Sequence, residues 1–277
     1  MGLDSAIEWT EATWNPTTGC TKISPGCANC YAERLTKRLQ MMGVKKYERG
    51  FQFVQHNDDL YLPLTWRKSK KIFVNSMSDL FHEKSDFEFV KKCFFSMIMA
   101  NWHTYQILTK RPQRMARFSN LFETEFKIKI PHHIWMGTSI ESENYNWRID
   151  ELRRVRCHAR FISFEPLIGD VGQINLEGVD WIIIGGESGY GFRQVKKDWI
   201  KNIVKQCKQQ DVAVFFKQWG GIRPKSGGRE LDGKTFDEYP QIQVSEQTKS
   251  DELALKKKIE QIAKQEQTML IPKLLNR

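Results

Sequence analysis

The stretch Trp181-Ile-Ile-Ile-Gly-Gly186 places four large apolar residues in a row with no polar alternation. A strand with one wet face alternates, whereas a strand covered on both faces does not, so this run reads as a buried parallel strand. Ala213-Val-Phe-Phe-Lys217 has the same character. Working outward from these two, short apolar segments recur at Ile72–Asn75, Tyr105–Leu108, Ile134–Met136, Arg160–Phe164, Trp181–Ile184 and Val212–Phe216. A further strand is expected ahead of Cys20.

Helical patterns fill the intervals. Ser85-Asp-Phe-Glu88 has the form of a capping box and leads into a stripe of Val90, Phe94 and Ile98. Asn144 to Val155 and Lys196 to Cys207 carry similar stripes. Strand–helix alternation of this kind builds βαβ units with right-handed crossovers. An α/β fold follows, a partial or complete (β/α) barrel over residues 1–220. An open doubly wound sheet is the alternative, because strand order is not written in one sequence. Residues 221–277 read as a C-terminal extension, glycine-rich at first and ending in a charged helical tail from about Lys249 to Gln267.

The bulk numbers narrow the class. The chain has 277 residues, 40% of them apolar, enough for a full core, and a net charge of +10 that favours polyanionic partners. No apolar run is long enough to span a membrane. The N-terminus lacks a basic-then-apolar signal pattern, so the cytoplasm is the expected compartment, where the six cysteines would stay reduced. Cys93 and Cys207 sit in apolar helical patterns and read as buried thiols.

Three cysteines carry the chemistry: Cys20, Cys27 and Cys30, spaced C-x6-C-x2-C in Gly19-Cys-Thr-Lys-Ile-Ser-Pro-Gly-Cys-Ala-Asn-Cys30. Three thiolates can hold a metal centre and leave one position open. The intervening Pro25 and Gly26 make a tight loop, and the helix expected after Cys30 would stabilise anionic sulfur. A structural zinc site completed by a distant residue is the other reading. His132 and His133 are adjacent, so their side chains are expected to diverge, and both read as surface residues rather than paired ligands.

In parallel α/β folds ligands bind beyond the carboxyl ends of the strands. Here those ends lead into Asn75-Ser-Met-Ser-Asp79, Thr109-Lys-Arg111, Gly137-Thr-Ser-Ile-Glu141, Glu165-Pro166, Gly185-Gly-Glu-Ser-Gly189 and Lys217-Gln-Trp219. Capping explains any one of these segments; it explains the set less well. No dinucleotide fingerprint, Walker loop or nucleophile elbow is present.

The segments WNPTTGCTKISPGCANCYAERL, KKIFVNSMSDLFHE, YQILTKRP, IWMGTSIE, RFISFEPL, WIIIGGESG, FFKQWGG and LDGKTFDEYP run in order across positions 14–240. Together they resemble a phage-type family of unknown function with a three-cysteine motif, itself similar to radical S-adenosylmethionine enzymes such as the spore photoproduct lyase type. The resemblance implies a barrel of the radical-SAM type, with a [4Fe–4S] cluster on Cys20, Cys27 and Cys30 and S-adenosylmethionine on its open iron. Ser76, Ser78 and Asp79 would face the methionine end of that cofactor. Thr138, Ser139 and Glu141 would suit its ribose and amino group. Gly185, Gly186 and Glu187 would lie near adenine or substrate. Glu187, Lys217 and Glu165 are the catalytic candidates, and Lys110, Arg111 and Gln218 lie on the same rim. The first cysteine gap is wider than the commonest radical-enzyme spacing, and Asn29 stands where an aromatic residue often precedes the third cysteine.

The resemblance also implies an electron donor and a partner protein encoded nearby. A different class stays open: a zinc-stabilised nucleic-acid-binding module without catalysis, supported by the basic balance and the run Arg67-Lys-Ser-Lys-Lys71. In either case Arg67, Lys68, Lys70 and Lys71 are expected to lead any contact with DNA or RNA.

Overall fold

The computed structural model describes residues 5–265. In chain order they form β1 (Ala12–Trp14), β2 (Thr17–Thr18), α1 (Tyr31–Met41), β3 (Val54–Gln55), β4 (Lys71–Val74), α2 (Phe87–Met99), β5 (Thr104–Thr109), α3 (Pro112–Phe126) and β6 (Ile134–Ser139). There follow α4 (Trp147–Arg153), β7 (Arg160–Phe164), β8 (Trp181–Gly185), α5 (Lys197–Gln209), β9 (Ala213–Gln218) and α6 (Glu246–Gln265). Seven strands make one parallel sheet in the order β1-β4-β5-β6-β7-β8-β9, and β2 pairs antiparallel with β3. The order follows the sequence without a reversal. That rules out the doubly wound alternative, whose strand order turns back on itself at a switch point.

Alternation along each strand sorts two apolar layers. Ile72, Val74, Ile107, Met136, Ile162, Phe164, Ile182, Ile184 and Phe216 face the helices. Phe73, Trp135, Phe161, Trp181, Ile183 and Phe215 face the other way, around Trp9. The second layer shows that the sheet curls. The Trp9 ring lies 4.6 Å from Phe73 on β4 and 6.2 Å from Trp181 on β8. In a flat sheet those strands, four places apart, would be separated by roughly 19 Å. The sheet is a half-barrel with an aromatic interior.

The interior explains the last part of the chain. Beyond residue 220 the polypeptide returns beneath the sheet: Phe216 N–H donates to Phe236 O at 2.9 Å, and the Trp181 indole donates to Glu238 O at 2.8 Å. The Tyr239 ring stacks on Trp181 at 5.1 Å. Then α6 lays Leu255, Ile259 and Ala263 into the outer core. Residues 221–265 therefore complete the barrel's packing rather than hang beside it. The part of the expected tail helix beyond residue 265 lies outside the described residues.

Local readings shift by a residue or so. Asp86, not Ser85, caps α2, its carboxylate accepting from Glu88 N–H at 3.1 Å. Ser85 is buried instead. Among the described residues, no helix is long and apolar enough to cross a membrane.

Trp181 is fully buried where five aromatic rings meet it. Trp181→Ala should cost about 3–5 kcal/mol in urea denaturation. A loss under about 1 kcal/mol would show that the interior tolerates a void and is not close-packed.

Candidate functional site

The cysteine loop lies across the carboxyl ends of the strands. Cys20 follows β2, Cys27 closes the short turn Pro25–Cys27, and Cys30 is the residue that caps α1. The loop and the start of α1 are fastened to three strand ends, those of β4, β6 and β8. The Ser78 hydroxyl donates to Gly19 O at 2.6 Å. The Tyr31 hydroxyl donates to Ser76 O, after β4. Asn29 Nδ2 donates to Glu187 Oε2, after β8, at 3.0 Å. Arg34 Nη2 donates to Ser188 O at 2.9 Å. Gly26 backs onto Glu141, after β6, so closely that a Cβ there would sit 2.9 Å from Oε1.

Two buried carboxylate–guanidinium pairs carry most of this bracing. Asp79 accepts from Arg111 Nη1 at 3.0 Å, Thr109 Oγ1 at 2.7 Å, Phe81 N–H at 2.9 Å and Lys110 N–H at 3.2 Å. Arg111 in turn reaches the loop, donating to Thr21 O at 3.2 Å and to Cys20 Sγ at 3.6 Å. Outside it, Glu83 takes Arg111 Nε at 2.9 Å, and that hydrogen bond holds its carboxyl down to about 2. On the far side Glu187 accepts from the backbone N–H and Nε of Arg193, both at 2.9 Å, while Arg193 Nη1 donates to Pro25 O at 3.0 Å. Burial pushes the Glu187 carboxyl up, but the hydrogen bonds from Arg193 and Asn29 outweigh it and hold it below the ordinary range. Burying such carboxylates is tolerable only because nearly every lone pair is satisfied.

The rim residues divide into braces and inward-facing groups. Ser76, Ser78 and Asp79, expected to face a cofactor, are engaged in holding Asn15, Gly19 and Arg111. Glu187 is likewise consumed by Asn29 and Arg193. Gln218 braces the neighbouring turn, donating to Gly186 O at 3.2 Å and Ser188 Oγ at 2.9 Å. Thr138 is a correction: alternation turns it to the helix-facing layer beside Ile162, and its hydroxyl donates to Thr109 O at 2.9 Å. Ser139 and Ser163 pair on the inner face. Next along that face stands Glu165, whose carboxylate meets Lys217 Nζ at 2.9 Å and Ser163 Oγ at 3.1 Å. Lys110 Nζ reaches Glu165 O at 3.5 Å. Glu165 lies over Gly185, where a Cβ would be 2.3 Å from its carboxylate oxygen, so a larger residue there would displace the carboxylate. The half-barrel interior thus changes from aromatic at its base to charged at its mouth.

Glu141 differs from the other carboxylates. It is fully buried, Arg148 Nη1 holds its Oε2 at 2.7 Å, and its Oε1 has no partner. That orphan oxygen abuts Gly26, between the first and second cysteines of the loop. Arg148, Arg193 and Arg34 are functional neighbours that the sequence reading passed over. Arg148 lies within a helical stripe otherwise read as apolar, and the two others look like ordinary surface cations.

Four ligands around one zinc lie about 3.8 Å apart when all are sulfur. Among the described residues, the one group of three ligand atoms mutually within 4.8 Å is His132, His133 and Glu252, so the three cysteine sulfurs are spread wider than that. They share one neighbourhood all the same. Burial, then the charge of Asp79, pushes the Cys20 thiol up to about 12, and Cys27 adds to the rise while Arg111 opposes it. A bound cation would be needed to make that sulfur a thiolate at neutral pH.

Two expectations land elsewhere. The basic run starting at Arg67 leads into the amino end of β4, opposite the cysteine loop, with Arg67 and Lys68 exposed and Lys71 lying over the Tyr239 ring at 4.6 Å. His132 and His133 also lie at the amino end, just before β6. Their side chains do not part into solvent: His133 is buried, and both rings belong to the group around Glu252.

Glu187 gives a pH test. Its folded pKa is lowered, so its pairing contributes stability above the usual 4.5 and loses it as pH falls through the lowered value. Glu187→Gln should cost about 2 kcal/mol at neutral pH, and the gap to wild type should close below about pH 4.5. It should also speed alkylation of Cys27 and Cys30 but not of buried Cys93. A pH-independent gap would contradict the assignment.

Neither the curated proteins nor the solved structures provide a match to this chain. A family model does: the one described as "Protein of unknown function (DUF5131)" matches residues 4–240, a span that holds all three cysteines, every brace of their loop and all seven strands of the sheet. The chain belongs to the DUF5131 family.

Proposed function

We propose that this protein is a radical S-adenosylmethionine enzyme whose Cys20, Cys27 and Cys30 hold a [4Fe–4S] cluster. The observation that carries the reading is the placement of three cysteines on one braced loop over the carboxyl mouth of a parallel half-barrel with a charged interior rim. When bound, the cluster with S-adenosylmethionine supplies one electron for reductive cleavage to methionine and a 5′-deoxyadenosyl radical. That the three sulfurs do not all lie within 4.8 Å of one another, and that no further ligand groups with them among the described residues, favours a cluster over the zinc-module alternative.

The chain's own residues would act as follows. The two arginine braces keep the three sulfurs at fixed places, so little reorganisation accompanies loading. Glu141 Oε1, held by Arg148 and otherwise unpartnered, is the one buried carboxylate oxygen at the loop left to accept a hydrogen bond, and the cofactor's amino group is a suitable donor. Ser139 offers a polar contact on the inner face for the nucleoside. Glu165 and Lys217, paired and half-buried, would orient substrate or move a proton between carboxylate and ammonium. Glu187 drops from a catalytic to a positioning role. A nucleic-acid substrate is consistent with the basic balance, but it would be drawn by cations at the mouth, such as Lys22, Arg34 and Arg193, and not by the run beginning at Arg67. The reaction needs a one-electron donor, most simply a partner protein.

Anaerobic reconstitution with iron and sulfide should give a brown protein holding about four irons and four sulfides per chain. On reduction with S-adenosylmethionine it should form 5′-deoxyadenosine. The Cys20/Cys27/Cys30→Ala variant should do neither. A colourless wild-type protein carrying one zinc would contradict the proposal.

A further inference from the structure

Away from the cysteine loop, His132, His133 and Glu252 bring three ligand atoms within 4.8 Å of one another. The histidines precede β6 at the amino end of the sheet, and Glu252 comes from α6, 120 residues later. Glu252 occupies the core stripe of its helix, with Leu255, Ile259 and Ala263, at 9% exposure. A carboxylate there needs a strong partner. His132 supplies two contacts: its backbone N–H to Oε1 at 2.8 Å and its ring Nδ1 to Oε2 at 2.7 Å.

The other ring is set up for coordination. His133 Nε2 lies 3.2 Å from Met97 O, a group that can only accept, so Nε2 carries the proton and Nδ1 keeps a lone pair. Imidazoles that bind metals commonly donate their second nitrogen to a carbonyl in this way. Lys256, one turn further along α6, is turned aside: its ammonium bonds Asn101 Oδ1 at 3.0 Å and lies over Trp102. The Glu252 carboxylate supplies the negative charge that a divalent cation would meet at this cluster.

We propose that His132, His133 and Glu252 form a binding site for one divalent transition cation, zinc foremost, that fastens α6 to the amino end of the half-barrel. Two imidazoles and a carboxylate are a recognised zinc donor set, with a fourth position for water. Tetrahedral zinc would set the nitrogen and oxygen atoms roughly 3.3 Å apart. The 2.7 Å contact between His132 Nδ1 and Oε2 is a hydrogen bond, so metal binding would move the Nδ1 proton to Nε2 or to solvent and then open the contact by less than an ångström. The site shares no residue with the cysteine loop, so it stands whether or not that loop holds a cluster.

The test is cobalt(II) and zinc(II) titration of the full chain, with thermal unfolding followed alongside. A site of nitrogen and oxygen donors gives cobalt visible bands without thiolate charge transfer, which separates it from the cysteines. One such equivalent is expected in wild type and in the Cys20/Cys27/Cys30→Ala variant. Zinc should raise the midpoint of unfolding. His132→Ala and Glu252→Gln should each weaken binding by more than about tenfold, the loss that even an outer hydrogen-bonding partner produces. They should also abolish the zinc-dependent shift, a readout that a purely structural hydrogen bond would not move. If cobalt gives thiolate bands alone, or if Glu252→Gln responds to zinc as wild type does, the cluster is a metal-free hydrogen-bonded clamp and the proposal fails.

Discussion

Two buried carboxylate–guanidinium pairs, Asp79–Arg111 and Glu187–Arg193, hold the cysteine loop over the barrel mouth. Without them the loop would keep only single hydrogen bonds such as those from Ser78 to Gly19 and from Arg34 to Ser188. Neither pair is a source of large net stability, because desolvation offsets most of the attraction. Their contribution is positional. Each carboxylate belongs to one strand end, each arginine touches the loop, and the loop is thereby referenced to both sides of the sheet at once. Removing one partner of the buried Asp79–Arg111 pair leaves an uncompensated charge and costs about 3–5 kcal/mol, whereas Arg193 is partly exposed and the Glu187–Arg193 pair costs less to break.

The curl of the sheet sets what those pairs surround. Successive inward residues climb from Trp181 to Ile183 to Gly185 on β8, from Phe161 to Ser163 to Glu165 after β7, and from Phe215 to Lys217 on β9. Apolar rings close the base, and Tyr239 from the last part of the chain seals it. Charge begins one layer higher. A carboxylate and an ammonium thus sit at the lip of a low-dielectric interior, where their interaction is stronger than in water. That is the setting in which a reactive species is shielded and a substrate is oriented.

Much of this was legible in the sequence, and the failures have physical reasons. Unbroken apolar runs such as Trp181–Ile184 identify strands covered on both faces, and the polar segments after them identify the functional end. Sequence does not give the phase of the last strand residue. Thr138 and Ser139 are adjacent, yet only Ser139 points inward. Nor does it say which polar rim residues are consumed as braces, since the partners of Asp79 and Glu187 include residues far away in the chain, Arg111 and Asn29. The role of Asn29 was invisible for the same reason, because its amide donates to Glu187, 158 positions away. His132 and His133 looked like surface residues because Glu252, which gathers them, is 120 positions distant.

The central claim is that three cysteines present one open metal site at the mouth. The most direct test is electron paramagnetic resonance of the anaerobically reconstituted, dithionite-reduced protein, recorded with and without S-adenosylmethionine. The account predicts a reduced four-iron cluster signal whose shape changes when S-adenosylmethionine is added, because the fourth iron is free to bind it. A reconstituted protein with no such signal, or with one that S-adenosylmethionine leaves unchanged, would contradict it.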